Sequence, residues 1–261
     1  MPGKSQKYEN NPFYIALNGL NLVFEKARGV AFLLIALSIL SVFSGGMPRS
    51  RDDNGMNAQI PAWPMEQWII VGCVGILIAL AYLFITAMIS GISAYTSAQV
   101  ALGNTVKLGE AFHEVLDKFF SFIWLQIIMG VKILLWSLLL IIPGIVMAYR
   151  YSLANMAFFD QNLRGNAAIK ESLRLTKGAW LTTFGAQFLF NIITLGVISE
   201  FVNAGAKVIL YRQFKAIGND EKPDAHGLSW FSVFFPLIFA VAVMAVIVSI
   251  VLIALLIKAI A

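Results

Sequence analysis

The apolar positions of this chain fall into long blocks rather than stripes. Residues 67–92, 178–199 and 230–257 carry no charged side chain. A helix rising about 1.5 Å per residue needs roughly 20 apolar residues to cross the hydrocarbon layer of a bilayer, and each block is longer than that. The pattern predicts seven candidate spans: 29–46, 67–92, 119–142, 144–159, 178–197, 198–214 and 230–257. The fourth is short and holds Arg150, and the sixth carries Glu200, Asn203 and Lys207. Pro143-Gly144 is expected to form the turn that folds the third and fourth spans into a hairpin, because proline breaks a helix and glycine tolerates a tight turn.

Three stretches have a striped pattern instead. Asn11–Arg28, Val106–Phe120 and Asn166–Trp180 each precede a span and set apolar residues at helical spacing among polar ones. Their centres compare as ALNGLNLVF from Ala16, AFHEVLDKF from Ala111 and AIKESLRLT from Ala168. Leu17, Leu20 and Phe24 share one face of the first. Phe112, Val115, Leu116 and Phe119 do so in the second, and Ile169, Leu173 and Thr176 in the third. Such helices are expected to lie in the membrane interface with the apolar face down. The implied unit is one in-plane helix followed by a two-span hairpin, used three times, with the seventh span as an addition. The fold class expected is therefore an all-α integral membrane protein, a single transmembrane domain over 1–261 with a bundle of six to seven helices.

Composition agrees with this reading. The chain has 261 residues, 59% hydrophobic and 13% charged, against about 25% charged in a soluble domain. The net charge of +5 sits in short segments between spans, which points to topology and anionic headgroups rather than nucleic acid. With the N-terminus cytoplasmic, the inner segments hold Lys4, Lys7, Lys26, Arg28, Lys107, Lys118, Arg164, Lys170, Arg174, Lys177, Lys207, Arg212, Lys215 and Lys222. The outer segments hold only Arg49, Arg51 and Lys258, a strong positive-inside bias. Dropping the sixth span would move Arg212, Lys215 and Lys222 outside. The polar, amphipathic start of the chain does not look like a cleaved signal peptide. The single cysteine, Cys73, lies within a span and offers no intrachain disulfide.

The run LLLIIPGIVMAYRYSLANMAFFD (138–160), followed by AAIKESLRLTKGAWLTTFG (167–185), resembles the membrane domain of the glycerophosphoryl diester phosphodiesterase membrane-domain family. It is also similar to YciC-like bacterial inner-membrane proteins. The matching features are the Pro-Gly-Ile hairpin, a basic residue before a small-residue-rich span, and a helix of the pattern A-I-x-x-S-x-x-L-x-x-G. KLGEAFHEVL (107–116) and VILYRQF (208–214) fit as well. The resemblance covers roughly residues 11–215. It implies a prokaryotic multi-pass protein of the inner or plasma membrane, without phosphodiesterase activity, because catalysis in that family belongs to a separate fused soluble domain. The seventh span and the loop 47–66 depart from the family's simplest six-span pattern.

Catalytic chemistry has little to stand on. The chain has two histidines, His113 and His226, and no HExxH, phosphate-binding glycine loop or nucleophile elbow. Asp117 lies one turn beyond His113, but a metal site needs further ligands. No enzyme activity, metal or cofactor is expected. The intramembrane polar residues are the first candidate site. Glu200, Asn203 and Lys207 line one face of the sixth span, and Gln187, Asn191 and Thr194 one face of the fifth. Lys132 falls near the middle of the third span and Arg150 about two turns into the fourth. Ionisable groups at such depth cost roughly 2.5–3.5 kcal/mol each on insertion scales and tend to be paired. A pair between Glu200 and Arg150 or Lys132 is expected. These groups either line a cavity for an anionic substrate or headgroup, or act as interhelical glue, with Lys207 reaching the surface. The second candidate is the basic helix of Lys170, Arg174 and Lys177, spaced to meet anionic lipid or an acidic protein surface, or else serving topology alone. The function expected is a non-catalytic membrane accessory or scaffold that holds lipid or a membrane-protein partner. The alternative is a small transporter or permease component using the polar core.

Overall fold

The computed structural model describes residues 8–45, 64–139, 141–193, 199–218, 220 and 222–234. Among them there is no β-strand. The helices are α1 (Pro12–Lys26), α2 (Arg28–Gly45), α3 (Met65–Ala101), α4 (Leu108–Asp117), α5 (Phe119–Leu139), α6 (Ile141–Tyr151), α7 (Ala154–Gln161), α8 (Asn166–Leu175), α9 (Trp180–Ile193) and α10 (Ser199–Ile217). Residues 227–234 are also helical. The rest of the expected seventh span, most of the loop 47–66, and Thr194 lie outside the described residues.

The three striped stretches are the short helices α1, α4 and α8; α1 and α8 are each followed by two further helices and α4 by three. Local chemistry starts and stops them. The Asn11 side chain accepts a hydrogen bond from the Phe13 N–H at 3.0 Å, and Pro12 occupies the first turn, where its missing N–H costs nothing. At the start of α4 the Glu110 carboxylate accepts from the Lys107 N–H at 3.5 Å. Asn162 closes α7 in the left-handed conformation, φ 52°, a region its short polar side chain tolerates.

The expected fourth span is not one helix. It breaks at Ser152 and Leu153 into α6 and α7. Pro143 and Gly144 do not form the hairpin turn either. Both lie in the first turn of α6 and are helical. Proline is accommodated there for the reason that places Pro12 at the start of α1. Gly144 is instead where the two arms of the hairpin touch. A Cβ at this position would fall 2.8 Å from the Ser137 Cα.

The packed core gathers α1, α10, the second half of α3, and α7. Tyr211, Phe122, Phe158 and Phe214 are its largest fully buried side chains, from α10, α5 and α7. Phe122, Phe158 and Phe159 form an aromatic cluster with centroids 4.9–5.8 Å apart, and Tyr95 meets Phe159 edge-on at 5.7 Å. The helix α1 lies along α10, with Ile15, Ala16, Gly19 and Val23 turned inward. Leu17 and Phe24, two of the residues assigned to its apolar face, point outward. The second striped face divides likewise. Val115 is buried against Gly91 of α3, while Phe112 and Leu116 are exposed. In α8, Ile169 and Thr176 are buried.

The helix α3 has two parts. From Met88 to Ala101 it is mostly core, whereas Ile69, Ile70, Ile76, Leu77, Leu80 and Leu83 are all exposed. Among the described residues, two helices are long and apolar enough to cross a membrane: α3, with mean hydropathy 2.7, and α5, with mean hydropathy 2.0. The most apolar 18-residue window of α3 has no buried residue and that of α5 is 11% buried, unlike the core helix of a soluble protein. An apolar surface covering all sides of a shaft is far larger than the patches soluble monomers expose, and it needs an apolar surrounding.

Candidate functional site

The break between α6 and α7 is where the polar side chains of the bundle converge. Two residues leave the helical ladder, so carbonyls at the end of α6 lose their usual donors. The Arg150 carbonyl accepts instead from the Ser172 hydroxyl at 2.6 Å, and the Thr176 hydroxyl lies 3.2 Å from it and 2.8 Å from the Ser172 carbonyl, so its one proton serves either acceptor. Gln187 of α9, itself buried, donates to the Ser152 hydroxyl at 3.3 Å and to the Thr183 carbonyl at 3.2 Å. The break is thus held by side chains from two neighbouring helices.

Opposite the break lies a polar face of α3. Ser90, Ser93 and Ser97 are spaced i, i+3, i+7 and point the same way. Together with Ser152, Asn155, Glu200 and Lys207 they enclose a cavity of about 30 Å³. Glu200 and Lys207 stand two turns apart on α10 and both line it. Ser97 donates to the Ala204 carbonyl at 3.4 Å, and Gln126 to the Ser90 hydroxyl at 3.4 Å. The Asn155 side-chain oxygen is buried with no partner. A space of this size admits a water-sized ligand, and the lining offers it several polar partners. It does not admit a metabolite.

The structure brings some of the expected residues together and separates others. Glu200 and Lys207 share the cavity. Gln187 reaches its rim through Ser152. Asn203 is half-buried on α10, and Asn191 belongs to α9 but its side chain lies outside the described residues. The expected pairing of Glu200 with Arg150 or Lys132 is not formed. Lys132 donates to the Asn166 side-chain oxygen at 2.8 Å, at the start of α8. Arg150 contributes its carbonyl, not its guanidinium, to the contact with α8. The reason is that Gly165 packs on α5, a Cβ there lying 3.4 Å from Ile128. This seats the start of α8 beside Lys132, away from α10.

The basic helix presents Lys170, Arg174 and Lys177 to the outside. Arg174 is engaged by Glu171, with contacts of 2.6 and 2.8 Å. That guanidinium holds the Glu171 carboxyl below the usual carboxylate range. Lys222, from the segment after α10, folds back and donates to the Lys177 carbonyl at 3.2 Å. Burial, and then the nearby charges of Arg174 and Lys177, lower the pKa of its ammonium.

One network was not foreseen from the sequence. The Tyr211 hydroxyl donates to Asp160 at 2.6 Å, and Lys215 pairs with the same carboxylate oxygen at 2.6 Å. Gln161 donates to Glu171 at 3.2 Å and to the Tyr211 oxygen at 3.4 Å. Asp160, Tyr211, Gln161 and Glu171 thereby tie α7, α8 and α10 into one chain of polar contacts. Tyr211 and Lys215, one turn apart, were a signal that could have indicated a shared acidic partner. Among the described residues, no group of three or more His, Cys, Asp or Glu side chains is placed to hold a metal ion. No protein-family model matches the chain, and comparison with curated proteins and with solved structures yields no match.

Proposed function

We propose that this chain is a multi-pass protein of a prokaryotic inner or plasma membrane, with a cytoplasmic N-terminus. On this reading it is a non-catalytic accessory or scaffold whose cytoplasmic helices engage lipid or a membrane-protein partner, and it is related to the glycerophosphoryl diester phosphodiesterase membrane-domain family. The exposed apolar shafts of α3 and α5 support the membrane location. The observation that carries the accessory reading is the size of the polar core. At about 30 Å³, lined mainly by α3, α10 and the α6–α7 break, it is too small for a metabolite, and Lys132 and Arg150 do not line it. The outward-facing Lys170, Arg174 and Lys177 remain the groups best placed to meet an anionic surface.

The second reading is a small transporter or permease component. It draws on Glu200, Lys207 and the unpartnered Asn155 oxygen, which share one cavity. Two measurements separate the readings. Single cysteines at positions 60 and 222, in a Cys73→Ser background, report topology in intact cells. Position 60 should react with an impermeant thiol reagent and position 222 should not; finding both on one side defeats the seven-span arrangement. Reconstituted protein should show no flux of small ions across vesicles. A flux abolished by Glu200→Gln, in a variant that still folds, would replace the accessory reading with the transport one.

A further inference from the structure

An apolar groove of about 590 Å³ runs between α2, α3 and α4. Leu33 and Leu37 line it from α2, Ile85 and Ile89 from α3, and Phe112 and His113 from α4. Along α3 it extends from Phe84 to Ile92, about 12 Å of helix. The volume lies within the range of small-molecule sites, roughly 300–1,000 Å³, yet among the described residues His113 is its one polar side chain. A slot with almost no hydrogen-bonding groups recognises a hydrocarbon.

The end of the groove at Leu108 has two cations beside it. A Cβ at Gly29 would lie 3.6 Å from the Leu108 Cβ, so α2 and α4 meet there, and Arg28 and Lys107 each stand one residue before that contact. Both side chains are exposed, and among the described residues neither is in an ion pair. Two of the three acids of α4 are already engaged, and the third, Asp117, lies at the far end of the helix: Glu110 accepts from the Lys107 N–H, and Glu114 pairs with Lys118 at 2.7 Å. Two free cations at the end of an apolar slot match an amphiphile with an anionic head. We infer that the groove holds one acyl chain of an anionic phospholipid, with its headgroup phosphate at Arg28 and Lys107. This rests on the membrane reading above and names the lipid class and the place it binds.

Gly109 lines the groove, and a Cβ there meets nothing within 4 Å, so Gly109→Trp fills the slot without a backbone clash. Gly130 of α5 is equally open and lies outside the groove, so Gly130→Trp is the control. The full chain is reconstituted in vesicles of phosphatidylcholine and phosphatidylglycerol, with one lipid at a time carrying a photoactivatable acyl chain. Wild type and Gly130→Trp should cross-link the phosphatidylglycerol chain at peptides containing Ile89 or Phe112, and Gly109→Trp should lose that product. Arg28→Gln with Lys107→Gln should keep an acyl cross-link but lose the preference for phosphatidylglycerol. An unchanged product in Gly109→Trp, or equal labelling of the two lipids by wild type, overturns the inference while the membrane reading stands. Failure of the wild-type chain to enter vesicles overturns both.

Discussion

Gly19 of α1 and Gly205 of α10 meet backbone to backbone. A Cβ on Gly19 would overlap the Gly205 carbonyl, and one on Gly205 would fall 2.6 Å from the Leu20 nitrogen. Ala16 on one helix and Ala204 and Ala206 on the other are buried beside the crossing. Small residues that let two helix backbones touch are a device of helices packed in lipid, where the hydrophobic effect between helices is absent and close van der Waals packing replaces it. Here the device fixes α1 as part of the bundle rather than as a helix resting on its surface.

Either glycine should therefore be intolerant of the smallest side chain. Gly19→Ala and Gly205→Ala are expected to cost about 3 kcal/mol, the upper end of overpacking penalties, because backbone atoms and not a flexible side chain stand in the way. Gly75→Ala on the exposed shaft of α3 meets nothing within 4 Å and should be neutral or mildly stabilising. Thermal unfolding of the three purified variants in one detergent checks this. Equal midpoints would show that α1 is not docked on α10.

Much of the architecture was readable from the pattern of the chain, and much of the site was not. The lengths of the apolar blocks located α2, α3, α5, α9 and α10 to within a few residues, except that α3 continues nine residues past the block into the core. Amphipathic spacing located α1, α4 and α8. What escaped depends on contacts distant in sequence. Nothing local says that Gly19 faces Gly205, or that Lys132 finds Asn166 instead of Glu200. The break at Ser152 and Leu153 was hidden because a single serine within an apolar run resembles a span with one weak position. Only the side chains of Ser172, Thr176 and Gln187, arriving from other helices, make that break stable.

The break supplies a second prediction. The Arg150 carbonyl accepts from the Ser172 hydroxyl at 2.6 Å, and the Thr176 hydroxyl, 2.8 Å from the Ser172 carbonyl, can turn to it at 3.2 Å. Removing one leaves the other in place, so Ser172→Ala should cost about 1 kcal/mol, an ordinary net hydrogen bond. Ser172→Ala with Thr176→Val strands a part-buried carbonyl and should cost more than the sum of the single changes. A double-mutant cycle by denaturant unfolding measures the excess. Simple additivity would mean that the carbonyl finds another partner and that the break is not held from α8.

Asp160 presents the opposite situation, one acceptor oxygen shared by two donors. Tyr211→Phe removes the hydroxyl at 2.6 Å and leaves the carboxylate, only 7% exposed, with Lys215 as its remaining ionic partner. The expected cost is about 2 kcal/mol, the scale of a hydrogen bond to a charged group. Lys215→Met should cost less, because its ammonium is 39% exposed and screened by solvent. Chemical unfolding of both variants gives the order. A larger loss for Lys215→Met would place the weight of the network on the ion pair and not on the tyrosine.

Glu171 carries a pH dependence whose sign follows from its partner. Its carboxyl is held below the usual carboxylate range, first by the hydrogen bond from Arg174. A folded-state pKa lower than the unfolded one means that the unfolded chain binds the proton more readily as pH falls. The Glu171 contribution is then complete above the unfolded carboxylate pKa and is lost as pH drops through the folded one. The Glu171→Gln variant should be less stable than wild type at neutral pH, and the gap should close on the acid side of the ordinary carboxylate range. The same gap should narrow at high salt, since Arg174 is 40% exposed and its attraction is screened. Unfolding curves for the pair across pH, at low and high salt, test both statements. A gap that persists in acid would mean that the Gln161 contact, which does not need a charged carboxylate, dominates at this position.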